Sequence, residues 1–184
     1  NMVNKALFQN QYEGKTVFLT GHTGFKGSWL TFWLTLLGAR VVGYSHDIPT
    51  QPSHFSVLDF QDNVTDIRGD VRDLNCLNEA ITDHSPDIVF HMAAQPIVKT
   101  GLDHPVDTFE TNGMGTLHVL EACRRVSSVQ AIVMITSDKA YRNQEWTWGY
   151  RETDELGGSD PYSASKAVAE LIIRSYSESF YDDI

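Results

Sequence analysis

Tyr162 and Lys166 stand four residues apart in the run Tyr162-Ser163-Ala164-Ser165-Lys166. On a helix that spacing puts a phenol and an ammonium on one face. A free tyrosine titrates near ~10, too high for a base at neutral pH. A neighbouring ammonium favours phenolate and lowers that value. The phenolate can then take a hydroxyl proton while hydride leaves for a nicotinamide. Lys166 can also hold the nicotinamide ribose. A second cluster, Thr136-Ser137-Asp138-Lys139, closes an apolar strand run. The Ser137 hydroxyl can bond the reacting oxygen. Asp138 and Lys139 read either as an acid and a base beyond hydride chemistry or as a salt-bridged loop pair.

A nicotinamide needs a cradle for its dinucleotide, and a glycine turn ending 135 residues before Tyr162 can supply it. Gly21-His22-Thr23-Gly24-Phe25-Lys26-Gly27 follows an apolar strand and precedes a helix. Glycines at Gly21, Gly24 and Gly27 let the backbone approach a pyrophosphate, and the helix N-terminus offers unpaired N–H groups. Thr23 and Phe25 complete the turn, and Lys26 adds positive charge near the phosphates. An acid often ends the second strand of such folds and binds the ribose. Ser45 holds that place here, followed by His46 and Asp47. NAD and NADP both stay open on this reading, since Ser45 tolerates a 2′-phosphate that Arg68 could approach. Asp70 and Val71, after the third strand, are candidates for the adenine ring. Ala93, Ala94 and Gln95, in His91-Met92-Ala93-Ala94-Gln95-Pro96, are small or polar residues that allow close cofactor approach. His91 reads as structural. Asn112 reads as a fold-stabilising or water-relay residue. Trp146, Trp148 and Tyr150 read as pocket-lining or as plain loop aromatics.

The elements that must position these groups alternate strand and helix. Strands are expected at 16–20, 40–44, 64–68, 87–91 and 131–136. Helices are expected at 28–37, 73–84, 103–126 and 161–180, the third kinked near Gly113 and Gly115. Residues 47–60 and 141–160 read as loops. Strands apolar on both faces and separated by helices predict a doubly wound parallel α/β sheet of Rossmann type. Residues 1–14 read as a tail, with Asn1-Met2 as a tag remnant, and 15–184 as one domain. Hydrophobic content of 41% with 21% charge suits a globular chain. A net charge of −10 argues against nucleic-acid binding, which relies on basic patches. The longest apolar run, 29–39, is too short to span a bilayer. Cys76 and Cys123 form no CxxC or His/Cys cluster, so free thiols, no metal site and a reducing cytoplasm are expected.

These motifs resemble the extended short-chain dehydrogenase/reductase family from about Lys15 to Ile184. The stretches 20–30, 91–96, 137–141 and 162–166 are similar to its sugar-nucleotide 4,6-dehydratases, in the branch acting on CDP-glucose, where Asp-Lys replaces the commoner Asp-Glu after the serine or threonine. The resemblance implies NAD as cofactor and a nucleotide sugar as substrate. Tyr162 would take the 4-hydroxyl proton, Lys139 the proton on carbon 5, and Asp138 would protonate the departing 6-hydroxyl. It also implies a homodimer through the helices from about Asp103 and Pro161. A carboxyl-terminal substrate lobe would lie outside these residues, making the chain a fragment with weak or no activity alone. A sugar-nucleotide epimerase or reductase, or a non-catalytic cofactor module, are the competing readings.

Overall fold

The computed structural model describes residues 7–58 and 63–181. The tag remnant, Phe60 and the last three residues therefore lie outside the described residues. Five strands form one sheet: β1 (Thr16–Thr20), β2 (Arg40–Ser45), β3 (Val64–Arg68), β4 (Ile88–His91) and β5 (Ala131–Met134). Every pairing is parallel, and the order is β3-β2-β1-β4-β5. The chain reverses its direction of travel across the sheet between β1 and β4, and ligands of such sheets bind at the carboxyl edge of that junction.

Alternation along β1 explains the two layers. Val17 and Leu19 point to one face, where α1 (Phe25–Leu36) supplies Leu30 and Leu34. Phe18 points to the other, where α3 (Leu74–His84) and α6 (Gly115–Arg124) supply Leu77, Ile81, Val119 and Cys123. β1 is buried at every position, as a central parallel strand covered on both sides must be. Asp73 caps α3 by accepting from the N–H groups of Asn75 and Cys76, which satisfies two of the helix's free N-terminal donors.

Two expectations need correction. The loop expected over 47–60 contains a short helix, α2 (His54–Val57), whose start is capped by Ser53 accepting from Ser56 N–H at 3.0 Å. The helix expected over 103–126 runs from Pro105 to Arg124, its kink near Gly113 and Gly115 taking the form of a π-turn, and only its start differs. α4 (Val98–Asp103) ends at His104, and α5 (Pro105–Phe109) restarts with Pro105 in its first turn, where proline's missing N–H costs nothing. A π-turn over Glu110–Met114 then leads into α6. Such turns insert an extra residue into a helix and often mark functional positions. This one buries Asn112 and Gly113. The last helix, α7 (Pro161–Phe180), begins on an Asp160 cap that accepts from Ser163 N–H at 3.0 Å. Among the described residues no helix is long and apolar enough to cross a membrane.

Candidate active site

The glycine turn is shaped by what has no room. Gly21 has φ +78°, and a Cβ there would lie 2.7 Å from the Ala93 nitrogen. A Cβ on Gly27 would collide with the Gly21 carbonyl. Gly24 is different: a Cβ would meet only the Gly21 oxygen, at 3.4 Å. Gly21 and Gly27 thus pack the turn shut against β4 and α1, while Gly24 leaves its outer side clear. Phe25 and Lys26 are exposed at the start of α1.

Below the turn, buried side chains lock the strand ends. Thr20 Oγ1 accepts from the N–H groups of Met92 and Ala93, both at 3.1 Å. Its own proton therefore goes to His91 Nδ1 at 2.7 Å. His91 Nε2–H then donates to Thr116 Oγ1 at 3.2 Å, and Thr116 donates to the Asn112 carbonyl at 2.8 Å. Burial pushes the His91 pKa down to about 3, with the Lys166 charge adding to the effect. His91 is a neutral strut, as its sequence context suggested.

Asn112 ties the segment after β4 to the last helix. Its side chain accepts from Gln95 N–H at 2.8 Å and donates to the Gln95 carbonyl at 3.0 Å and to Ser165 Oγ at 2.9 Å. Ser165 in turn donates to the Tyr162 carbonyl at 2.7 Å. The Gln95 side chain is spent on Thr108 and on Ile97 N–H. Ala93 and Ala94 lie half-buried between Gly21 and this latch.

At the carboxyl ends of β2 and β3 the side chains expected to meet the adenosine are engaged with protein partners. Ser45 is buried, and its hydroxyl lies 2.9 Å from His22 Nδ1 and 3.5 Å from Thr23 N. It faces inward, so the exposed groups beyond β2 are His46 and Asp47. The Thr23 hydroxyl donates to the Asp47 carbonyl, tying those residues to the turn. Arg68 is held by Asp66 at 2.7 Å and lies over the Phe55 ring. Asp70 is gripped by Arg72 through three side-chain contacts of 2.7–3.1 Å. Burial opposes the Asp70 charge, but these bonds hold its carboxyl below the usual range. Val71 is buried, and its carbonyl accepts from His118.

Tyr162 and Lys166 share a face of α7 and are only 8% and 6% exposed. Desolvation lowers the Lys166 pKa, with Glu170 partly opposing. The Lys166 ammonium makes no hydrogen bond to the described residues. A buried cation with no hydrogen-bond partner among the described residues, and a turn whose Gly24 leaves its outer side clear, fit the ribose and pyrophosphate of a dinucleotide. Ser137 starts a short 3₁₀ turn, Asp138–Ala140, at the end of β5. Its hydroxyl accepts from Lys139 N–H and donates to Asp138 Oδ1 at 3.2 Å. Among the described residues Asp138 and Lys139 form no ion pair with each other; the Lys139 charge instead acts on Asp160. The loop that follows closes on itself through Gly157 N–H to the Ala140 carbonyl. Within it Tyr141 stacks on Tyr150, and Trp146 packs against Trp148 and Tyr150.

The sequence of this chain matches the family described as GDP-mannose 4,6 dehydratase over residues 18–182. The chain belongs to this family. A CDP-glucose 4,6-dehydratase of Salmonella typhimurium is 51% identical over 174 residues, which cover 95% of this chain and 48% of the relative. An epimerase from Methanothermobacter thermautotrophicus shares the fold with TM-score 0.82 and 28% identity, over 94% of this chain and 50% of that one. A UDP-glucose 4-epimerase from Thermus thermophilus, solved in complex with NAD, gives 0.76 and 29%, over 90% and 52%. The chain spans about half the length of the curated relatives it matches.

In this member of the GDP-mannose 4,6 dehydratase family, two residues near the turn carry contacts that sequence reading did not assign. His22 is fully buried inside the glycine motif, and Asp66 of β3 accepts its Nε2–H at 2.9 Å. The one visible cue was a histidine where a turn of this kind has no need of a bulky ring.

Proposed function

We propose that this chain carries the cofactor-binding and catalytic half of a sugar-nucleotide 4,6-dehydratase that converts CDP-glucose to CDP-4-dehydro-6-deoxyglucose with NAD. The observation that carries the proposal is Asp138-Lys139 directly after Ser137, on the same sheet edge as the buried Tyr162–Lys166 pair. Epimerisation needs the hydride pair alone; an added acid and base are what elimination of water requires.

Gly21, Gly24 and Gly27 cradle the pyrophosphate, Lys26 adds charge beside it, and Lys166 holds the nicotinamide ribose. Ala93 and Ala94 form the floor, and Asp70 and Val71 border the adenine. When bound, NAD supplies the acceptor for hydride from carbon 4 and its donor to carbon 6. Tyr162 takes the 4-hydroxyl proton, helped by the ammonium of Lys166, while Ser137 bonds the same oxygen. The resulting 4-keto group acidifies the proton on carbon 5, which Lys139 removes. Asp138 gives a proton to the 6-hydroxyl, which departs as water, and Lys139 returns its proton to carbon 5 as hydride reaches carbon 6. The sum is loss of one water with no net redox change, so the class is lyase.

The CDP moiety is gripped, on this reading, by residues in the half of the relatives' length that the chain does not span. The exposed apolar residues Val106, Phe109, Met114, Val168 and Leu171, on α5, the π-turn and α7, suit a homodimer. Two cysteines without a disulfide, Cys76 exposed and Cys123 buried, suit a reducing cytoplasm. The fold shared with the Thermus UDP-glucose 4-epimerase favours a second reading, sugar-nucleotide epimerisation.

Incubation of the whole protein with CDP-glucose and NAD tests the proposal. The expected product is a 4-keto sugar with its alkaline absorbance. Recovery of an epimer that keeps its 6-hydroxyl would select the second reading.

A further inference from the structure

We infer that Asp66, on the edge strand β3, sets both the grip on the cofactor and the choice of NAD over NADP. The inference rests on the cofactor reading above and deepens it. Asp66 is two-armed. Its Oδ1 accepts from His22 Nε2 at 2.9 Å, and its Oδ2 accepts from Arg68 at 2.7 Å.

The first arm reaches into the glycine turn. A carboxylate only accepts hydrogen bonds, so the His22 proton sits on Nε2 and its Nδ1 is left as an acceptor. Nδ1 therefore takes the Ser45 hydroxyl proton at 2.9 Å, and the Ser45 oxygen faces Thr23 N–H at 3.5 Å. The His22 ring lies over Gly43, where a Cβ would collide with it, and its face meets the edge of Phe55 at 5.2 Å between centroids. A charge on β3 thus orients a buried histidine, a buried hydroxyl and a backbone amide of the turn. Without Asp66 the Nε2 proton loses its acceptor, and the Ser45 hydroxyl loses the constraint that fixes its direction.

The second arm withholds a cation. β2 and β3 pair with Ser45 opposite Arg68 and Gly43 opposite Asp66. Arg68 therefore stands beside the end of β2, the place where an adenosine ribose is read. A 2′-phosphate would seek an arginine fork there. Asp66 already holds one arm of that fork, through Nη2 at 2.7 Å, and the Phe55 ring lies 5.6 Å beneath the guanidinium. Asp47, exposed two residues beyond β2, adds a second negative charge at the same end. The free 2′-hydroxyl of NAD makes no such demand, so the arrangement costs it nothing.

Dissociation constants for NAD and NADP, measured by calorimetry on this chain and three variants, test the inference. The unchanged chain should bind NAD more tightly. Asp66→Asn keeps an acceptor for His22 but not the charge that holds Arg68. It should cost NAD less than Asp66→Ala does, and should improve NADP about tenfold, the scale of one charge-assisted hydrogen bond. Asp66→Ala should weaken NAD about tenfold and still narrow the preference. Adding Arg68→Ala to Asp66→Ala should abolish the gain for NADP. A merely structural Asp66 would lower both affinities by one common factor in every variant, and that result overturns the inference. Failure of the unchanged chain to bind either cofactor would instead overturn the cofactor reading, and the inference with it.

Discussion

The glycine turn after β1 and the Ser137–Lys139 turn after β5 lie on the same sheet edge and are built in opposite ways. The first is closed. Thr20 and His22 are fully buried, Gly21 and Gly27 touch backbone, and hydrogen bonds run beneath the turn through His91 to Asn112. The second is open. Asp138 and Lys139 are exposed, β5 alternates exposed with half-buried positions, and one serine hydroxyl steadies the turn. A cradle made of packed backbone tolerates little change. An acid–base pair on an open edge can be altered at little cost to the fold. Changes in the first region should therefore move stability and cofactor affinity together, and changes in the second should move turnover alone.

The largest effect is expected at the shared pair. Tyr162→Phe should lower turnover by roughly 10³-fold, within the range for loss of a positioned acid–base group. Single-turnover absorbance of the reduced cofactor should show no oxidation at carbon 4. Lys139→Ala should follow, at roughly 10²-fold in the overall rate. Here reduced cofactor should still form, because the block lies at water loss. The melting temperature should stay within the shift of an exposed substitution, about 0.5 kcal/mol. An unchanged overall rate in this variant would remove Lys139 as the base.

Gly27→Ala tests the closed side. Its methyl meets the Gly21 carbonyl, and such overpacking costs ~1–3 kcal/mol. Both the melting temperature and NAD affinity should fall. A loss of affinity at full stability would contradict the description of the turn as packed shut.

The smallest effect is a pH dependence of stability. Burial lowers the pKa of both His22 and His91 from the usual imidazole value. Groups depressed in the fold bind fewer protons there than in the unfolded chain. Their contribution is complete above about pH 6.5 and is lost as pH falls, toward about 3 for His91. Urea midpoints should already decline between about pH 6.5 and 5, where carboxylates remain ionised. A flat profile across that window would show that neither histidine is held neutral.

What was legible in the sequence was local. The glycine turn, the four-residue Tyr162–Lys166 spacing and the apolar strand runs each fit within a few neighbours, and the structure has all of them. Gly113 and Gly115 were visible cues to a kinked helix. Their outcome, a π-turn that buries Asn112, was not, because helical periodicity does not report an extra residue in a turn. The inward rotation of Ser45 was illegible for another reason. It depends on His22, 23 residues earlier, and through it on Asp66, 44 residues beyond His22. Only the β2–β3 register brings those three together.

The central proposal is that the open turn serves the elimination of water while the closed turn holds the cofactor that keeps the hydride. It is tested most directly by giving the whole protein CDP-glucose deuterated at carbon 4, with NAD, and locating the label by NMR. The account predicts deuterium in the methyl group at carbon 6 of a 4-keto product. Deuterium returned to carbon 4 of a sugar that retains its 6-hydroxyl would contradict it.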